Sequence, residues 1–270
     1  MGFSFLSWNI RKFKASPVRT KKIVDLIKKY NPDVFGILEF SDKDVARRLA
    51  FDYFKEYDFG ITESKGVMEI LVGHNRSKFD QSIFTQRREF NAGSIHLRPG
   101  AILSVRQKGQ SSFDNLLFLH TDSGTRTTDY QNRQTMFKKI WGLNNGLKSL
   151  SIQKGKARLV VAGDLNTMGK SGTITATQEI NKLTNDAANN EMKLLNKSHE
   201  KTWSASGNGR GDLDHVITSN DVKIQQWYFP SDSNTTFPII VDGWVDLDNN
   251  ARKEFVTNIS DHSLLYGEIL

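Results

Sequence analysis

The chain has 270 residues, 37% of them hydrophobic, enough for one large core or two small ones. It has no cysteine, which excludes disulfides, thiolate nucleophiles and thiolate metal sites, and no apolar run approaches the length of a membrane span. Lys and Arg number 37 against 30 Asp and Glu, a formal charge of +7 with a pI near 9.4, which favours a polyanionic partner such as nucleic acid or an acidic membrane surface.

Phe3 to Ile10 alternates apolar and small residues and reads as a strand, followed at once by Arg11, Lys12 and Lys14. Pro17 opens a helix that runs to Tyr30 with Val18, Ile23, Leu26 and Ile27 on one side, and Asn31-Pro32-Asp33 breaks it. Val34 to Leu38 is a buried strand ending in Glu39; Ser41 or Asp42 then caps a short helix carrying Val45, Leu49 and Phe54. Tyr57–Ile61, Val67–Gly73, Ser82–Thr85, Ala101–Val105 and Asn115–Leu119 are further strands. Thr128 to Leu150 is helical, with Met136, Phe137, Ile140, Trp141 and Leu147 at core spacing. The continuous run Leu159-Val160-Val161-Ala162 reads as a strand buried on both faces, ending in Gly163, Asp164 and Asn166. Thr175 to Leu195 reads as a helix and Ser204–Gly211 as a loop. Asp212–Ile217, Val222–Phe229 and Leu264–Ile269 read as strands, and 234–250 as a loop. No repeat or low-complexity linker divides the chain, so 1–270 is expected to be a single domain. Most strands follow one another too closely for helical crossovers, which predicts mainly antiparallel pairing and an α+β fold of two packed sheets with helices outside.

Polar residues of catalytic type recur where apolar runs end: Asn9, Glu39, His120, Asp164 with Asn166, Asp214, and Asp261 with His262. One such residue is an ordinary turn residue. Six such places predict a shared cleft if the strands end at one edge of the sandwich. The inventory suits phosphate ester hydrolysis: carboxylates for a hard divalent cation, imidazoles and amides for moving protons and holding phosphoryl oxygens. Without Cys or a His cluster, zinc is disfavoured. Taken singly, Glu69 reads equally as an outward-facing strand residue, His120 as a buried structural histidine and Asp212 as a loop charge.

The ordered set Ser7-Trp8-Asn9, Leu38-Glu39, Leu119-His120, Gly163-Asp164-Leu165-Asn166, Thr202-Trp203, Leu213-Asp214-His215-Val216-Ile217 and Ser260-Asp261-His262 resembles the endonuclease/exonuclease/phosphatase, or deoxyribonuclease I-like, superfamily. The resemblance covers nearly the whole chain. It implies a four-layered α/β/β/α sandwich and a Mg²⁺-dependent phosphoester hydrolase, with Mn²⁺ as a substitute. By the same resemblance Glu39 would bind the metal with Asn9 and Asp261 beside it, and Asp164 and Asn166 would orient water and phosphate. His262, paired with Asp214, would move a proton or stabilise charge, and His120 would contact the phosphate with Glu69 as its acidic partner. Loss of Asp214 is then expected to move the acidic limb of the pH–rate profile. His120 stands where the abasic-site branch usually has Tyr, Asp212 where it has Arg, Leu38 where Gln is common and Ser263 where Pro is common.

The expected activity is an endonuclease cutting DNA with low sequence specificity. The alternative is a phosphatase or phosphodiesterase for inositol phosphates or phospholipid head groups, for which Trp244, Ile239 and Ile240 are the one hint of a membrane-inserting loop. Arg11, Lys12, Arg126, Arg133, Lys170 and Trp203 are the expected substrate contacts. No protein partner is implied and a monomer is expected. The lack of Cys and of a signal peptide favours a cytoplasmic or nuclear location.

Overall fold

The computed structural model describes residues 2–13, 16–41, 45, 48–64, 68–94, 97–205, 209–229 and 232–270. Lys14, Asp42 and Val67 from the sequence reading lie outside them, as do residues 206–208 of the Ser204–Gly211 stretch. No helix among them is long and apolar enough to cross a membrane.

The first half-structure runs β1 (Phe3–Phe13), α1 (Pro17–Tyr30), β2 (Val34–Phe40), β3 (Tyr57–Ile61) and β4 (Glu69–Asn75). Ser16 caps α1 through the Arg19 amide, Pro17 sits where no donor is needed, and Asn31 closes the helix in the left-handed conformation. Next come β5 (Phe79–Arg87), β6 (Gly100–Gln107), β7 (Asp114–His120), α2 (Thr127–Ser149), β8 (Leu159–Asp164) and α3 (Ala176–Asn189). The chain ends with β9 (Met192–Leu194), β10 (Trp203–Ala205), β11 (Gly209–Gly211), β12 (Asp214–Ser219), β13 (Trp227–Phe229), β14 (Asp232–Phe237), β15 (Ile240–Asp242), α4 (Asn249–Asn258) and β16 (Leu264–Ile269).

Two six-stranded sheets form, ordered β15-β16-β1-β2-β4-β3 and β5-β6-β7-β8-β12-β9. Each holds one parallel pair at its centre, β1 with β2 and β7 with β8, and every other pairing is antiparallel. In each parallel pair a helix, α1 or α2, lies between the two strands, as a parallel crossover requires. Phe5, Leu38 and Val72 of one sheet meet Leu103, Phe118, Ala162 and Val216 of the other in the central core. The opposite faces are covered by α1 and α4, against Leu6, Trp8 and Phe35, and by α2 and α3, against Leu117, Leu119 and Val161. This is the four-layered sandwich.

Several expectations fail locally. The described ends of the Ser204–Gly211 stretch are not loop but belong to β10 and β11, which pair antiparallel. Thr175–Leu195 is helical only to Asn189, because β9 peels off to pair with β12. Within 222–229 only Trp227–Phe229 is a strand. The 234–250 region is not a loop: it holds most of β14, all of β15 and the start of α4, which Asp248 caps through the Asn250 and Ala251 amides.

Candidate active site

Strand ends explain the convergence. Parallel strands finish at the same end of a sheet, and antiparallel neighbours begin there. The C-terminal ends of β1, β2, β7 and β8 therefore lie beside the N-terminal ends of β4, β6, β12 and β16. Side chains alternate along a strand. Phe3 and Phe5 face the central core, so Asn9 continues that face; Leu116 and Phe118 lead to His120, Val160 and Ala162 to Asp164, and Val216 back to Asp214. The four polar groups thus extend the inter-sheet face beyond the apolar core. Gly163 permits this approach: a Cβ there would lie 2.0 Å from the Leu119 carbonyl oxygen.

Glu39 arrives by a different device. The β1–β2 and β2–β4 registers both slip around it, and it takes a left-handed conformation with φ 59°. The bulge breaks the alternation, so Phe40 turns to the helix-covered face. Arg11 (φ 47°), Lys12 (φ 44°) and Asn166 (φ 47°) are also left-handed. Strained backbone of this kind collects at functional sites.

The Asn9 amide donates to Asp164 Oδ2 at 3.0 Å and to Glu39 Oε1 at 3.3 Å, while its Oδ1 accepts from the Arg11 amide. Glu39 Oε2 accepts from the Lys12 amide at 2.8 Å. His120 Nε2 lies 3.4 Å from Asp164 Oδ2 and 3.9 Å from Glu39 Oε1. Asp164 Oδ1 accepts from the Asn166 amide, and Asn166 Nδ2 donates to the Thr121 carbonyl. His262 Nδ1 is 2.8 Å from Asp214 Oδ2 and its Nε2 is 3.7 Å from Asp164 Oδ2. Trp8 Nε1 donates to the His262 carbonyl, and Ser260 Oγ donates to the Asn9 carbonyl while accepting from the His262 amide.

The two imidazoles differ in charge. Burial, with the Arg98 and His262 charges, holds His120 well below the usual histidine range, so it is neutral. For His262 burial pulls down, but the Asp214 and Asp164 carboxylates outweigh it and push its pKa well up. Burial also pushes the Asp164 carboxyl upward, against the lowering effect of the His262 charge.

Asp261 stands at the rim, its Oδ2 accepting from Trp203 Nε1 at 3.2 Å and facing Arg11 Nε at 3.7 Å, while its Oδ1 is buried with no partner among the described residues. Arg11 and Lys12 are exposed beside it, and together with Arg19, Val256, Thr257 and Ile259 they line a cavity of about 390 Å³. Arg19 is spent on structure: its guanidinium donates to the Ile10, Arg11 and Ile259 carbonyls. Lys170 is half-buried on the turn after Asn166, and Arg126 is exposed but paired with Asp129 at the start of α2.

Two expectations need correction. Arg133 does not face the cleft. It is fully buried, and all five of its donors are used, on both oxygens of Glu179 and on the Asp122, Gly124 and Gly169 carbonyls. Glu69 is not the partner of His120. Its oxygens accept from Thr62 Oγ1 and from the Ser64 amide and hydroxyl, and His120 Nδ1 is buried without a partner among the described residues.

Arg98 was missed. It precedes β6, whose register (Ala101 with Phe118) sets its start beside the end of β7. Its charge is felt by His120, and the carboxylates of Glu39, Asp164, Glu69 and Asp122 oppose the lowering that burial imposes on it. Among the described residues its side chain contacts the Met68 sulfur at 3.6 Å and no acid. The cations singled out in the sequence all follow strands; cations just before strands are the corresponding signal in antiparallel sheets.

A model of the Endonuclease/Exonuclease/phosphatase family matches residues 6–262. The chain belongs to this family. The family comprises hydrolases of phosphodiester bonds. TDP2 from C. elegans superposes with a TM-score of 0.67 at 17% identity, covering 100% of this chain and 75% of that one. TDP2 of D. rerio complexed with single strand DNA product gives 0.66 at 17% identity, covering 100% and 99%. The human Nocturnin catalytic domain with bound sulfate gives 0.60 at 17% identity, covering 100% and 94%. At such identities the family fold is what is shared. A search of curated proteins by sequence returns no match.

Proposed function

We propose that the chain is a divalent-metal-dependent endonuclease that hydrolyses DNA phosphodiester bonds with little sequence preference. The observation that carries this reading is the meeting of Asn9, Glu39, His120, Asp164, Asp214 and His262 at one end of the sandwich, with exposed Arg11 and Lys12 at its rim. A neighbour in fold, TDP2 of D. rerio, is complexed with single strand DNA product, which supports a nucleic-acid substrate.

The donor set fits a hard cation. Glu39 offers carboxylate oxygens, one of them oriented by the Asn9 side-chain NH2, and the buried Asp261 Oδ1 lacks any other partner among the described residues. Ligand atoms of Asp164, Asp214 and His262 also lie within 4.8 Å of one another, but a protonated imidazole bonded to Asp214 fills that position with positive charge already. The metal is therefore assigned to Glu39, with Asn9 and Asp261 beside it; when bound, it offsets charge on the phosphate and the departing oxygen.

The other roles belong to the chain itself. Asp164, with its carboxyl pushed upward by burial, draws the proton from water that Asn166 helps to orient. His262 faces the phosphoryl oxygen as an imidazolium, its ring held in orientation by Asp214. Neutral His120 donates a hydrogen bond, and Arg98, with no acid bonded to it among the described residues, meets the phosphate charge. Arg11, Lys12 and Lys170 touch neighbouring phosphates, which position the strand without reading bases.

The hint of a membrane-inserting loop weakens: Trp244 and Ile239 are buried in the core, and Ile240 is half-buried in β15. Supercoiled plasmid, RNA and phosphoinositide vesicles, each offered with Mg²⁺ or with excess chelator, test the proposal. Nicking of plasmid in Mg²⁺ alone is expected. Plasmid left intact while inositol lipids release phosphate contradicts the DNA assignment, and full turnover in chelator contradicts the metal.

A further inference from the structure

Strand β12 is longer than its outer neighbour. Pairing with β9 runs from Ser219 opposite Met192 to Ile217 opposite Leu194, and the Leu195 amide still donates to the Val216 carbonyl at 2.9 Å. Asp214 lies two residues further, so its carbonyl points the same way, past the end of β9. A buried carbonyl left unpaired there is costly. Lys197 Nζ donates to it at 2.6 Å and at the same time forms an ion pair with the Asp212 carboxylate. The Lys197 side chain is only 6% exposed, which is rare for lysine. A strand amide would satisfy one carbonyl; an ammonium, with three donors, satisfies the carbonyl and a carboxylate together.

The same segment holds the other side of Asp214. Thr202 Oγ1 accepts from the Asp214 amide at 2.9 Å and from the Leu213 amide at 3.1 Å. Asp212 carries the tie onward: its carbonyl accepts from Thr167 Oγ1 at 2.6 Å, and the Leu165 amide donates to the Leu213 carbonyl. The stretch that bears Asp164 and Asn166 is thus roped to the stretch that bears Asp214. His215 Nε2, 2.8 Å from Thr167 Oγ1, closes the group.

We propose that Lys197 is a positioning residue: it replaces the missing strand at the end of β12 and so keeps the Asp214 carboxylate aimed at His262 Nδ1. The proposal rests on the reading of Asp214 and His262 as active-site groups, but its test does not need a substrate. The His262 Nδ1 proton, hydrogen-bonded to a carboxylate, gives a low-field resonance assigned by its loss in His262→Gln. It is recorded at one near-neutral pH in wild type, in Lys197→Met, and in Lys197→Met with Asp212→Asn. The double variant leaves no carboxylate uncompensated, so it folds where the single one does not. The resonance is expected to move upfield or to be lost to exchange in each folded variant. With DNA as substrate, kcat falls about tenfold, the scale for partners that orient first-contact groups, while KM changes less than about twofold. A folded double variant with the wild-type resonance overturns the proposal. A shifted resonance in a protein whose wild type cuts no DNA counts against the nuclease reading and leaves the positioning role standing.

Discussion

His262 and His120 are the same residue type in one cleft, and their surroundings separate them. His262 sits between two carboxylates and is held protonated; His120 is buried near two cations and is held neutral. The consequence for His262 follows from its raised pKa. Its charge pairing adds stability that is fully present below the ordinary imidazole value of about 6.5 and is lost as pH rises through the higher value of the folded state. Denaturant unfolding of wild type and Asp214→Asn should therefore differ most between about pH 5 and 7 and converge above that. Equal differences at all pH values would mean that Asp214 does not hold the His262 charge. In turnover, the Asp214 pairing governs the alkaline limb, not the acidic one expected from sequence, because the proton is lost from His262 only above neutrality. Asp214→Asn is expected to move that limb to lower pH. His120→Ala and Asp164→Ala should each lower kcat by about a hundredfold or more, the scale of a positioned proton-transfer or charge-stabilising group, with little change in melting temperature. A His120→Ala enzyme with normal kcat would make His120 structural.

At the scale of elements, the cleft is assembled from strand ends, and that is why so much of it was legible. Apolar runs that stop in Asn9, Glu39, His120 and Asp164 mark C-terminal ends of the four central parallel strands, and a period of two carries three of them onto the inter-sheet face. Less legible were features that depend on a partner far away in sequence. Arg133 lies near the start of a helix after a cleft strand, which suggested a phosphate contact, yet Glu179 of α3 draws it fully inside. Glu69 enters the cleft region, but Thr62 and Ser64 reach it from the adjoining turn before His120 can. Asn249–Asn258 was not anticipated as a helix because its apolar content is two core residues, Phe255 and Val256, and its Asp248 cap is one polar residue among many. The Arg133–Glu179 clamp ties together the loops that follow His120 and Asn166. Arg133→Met leaves a buried carboxylate unpaired and should cost about 3–5 kcal/mol, while adding Glu179→Met should recover a large part of it. Thermal or denaturant unfolding of the pair of variants checks this; a single variant as stable as wild type would mean that the carboxylate finds another partner.

For the molecule as a whole, the surplus of +7 matters where it is placed. Between Arg11 and Lys29 eight residues are basic and one, Asp25, is acidic. Much of that charge lies on α1, where Lys21 and Lys29 are already paired with Asp25 and Asp242. Arg11 and Lys12 are exposed at the cleft, the Arg11 guanidinium facing Asp261 and donating to the Val256 carbonyl, so binding of duplex DNA should weaken steeply with salt. The variant Arg11→Ala with Lys12→Ala should reduce the slope of log K against log salt by about one to two units. An unchanged slope would place the DNA path elsewhere on the surface. The most direct measurement is cleavage of supercoiled plasmid in Mg²⁺ by wild type and by Glu39→Gln and His262→Gln, each verified as folded. The account predicts nicking by wild type that falls by at least about a hundredfold in both variants. Nicking that persists at the wild-type rate in either variant, or a wild type that leaves DNA whole, contradicts it.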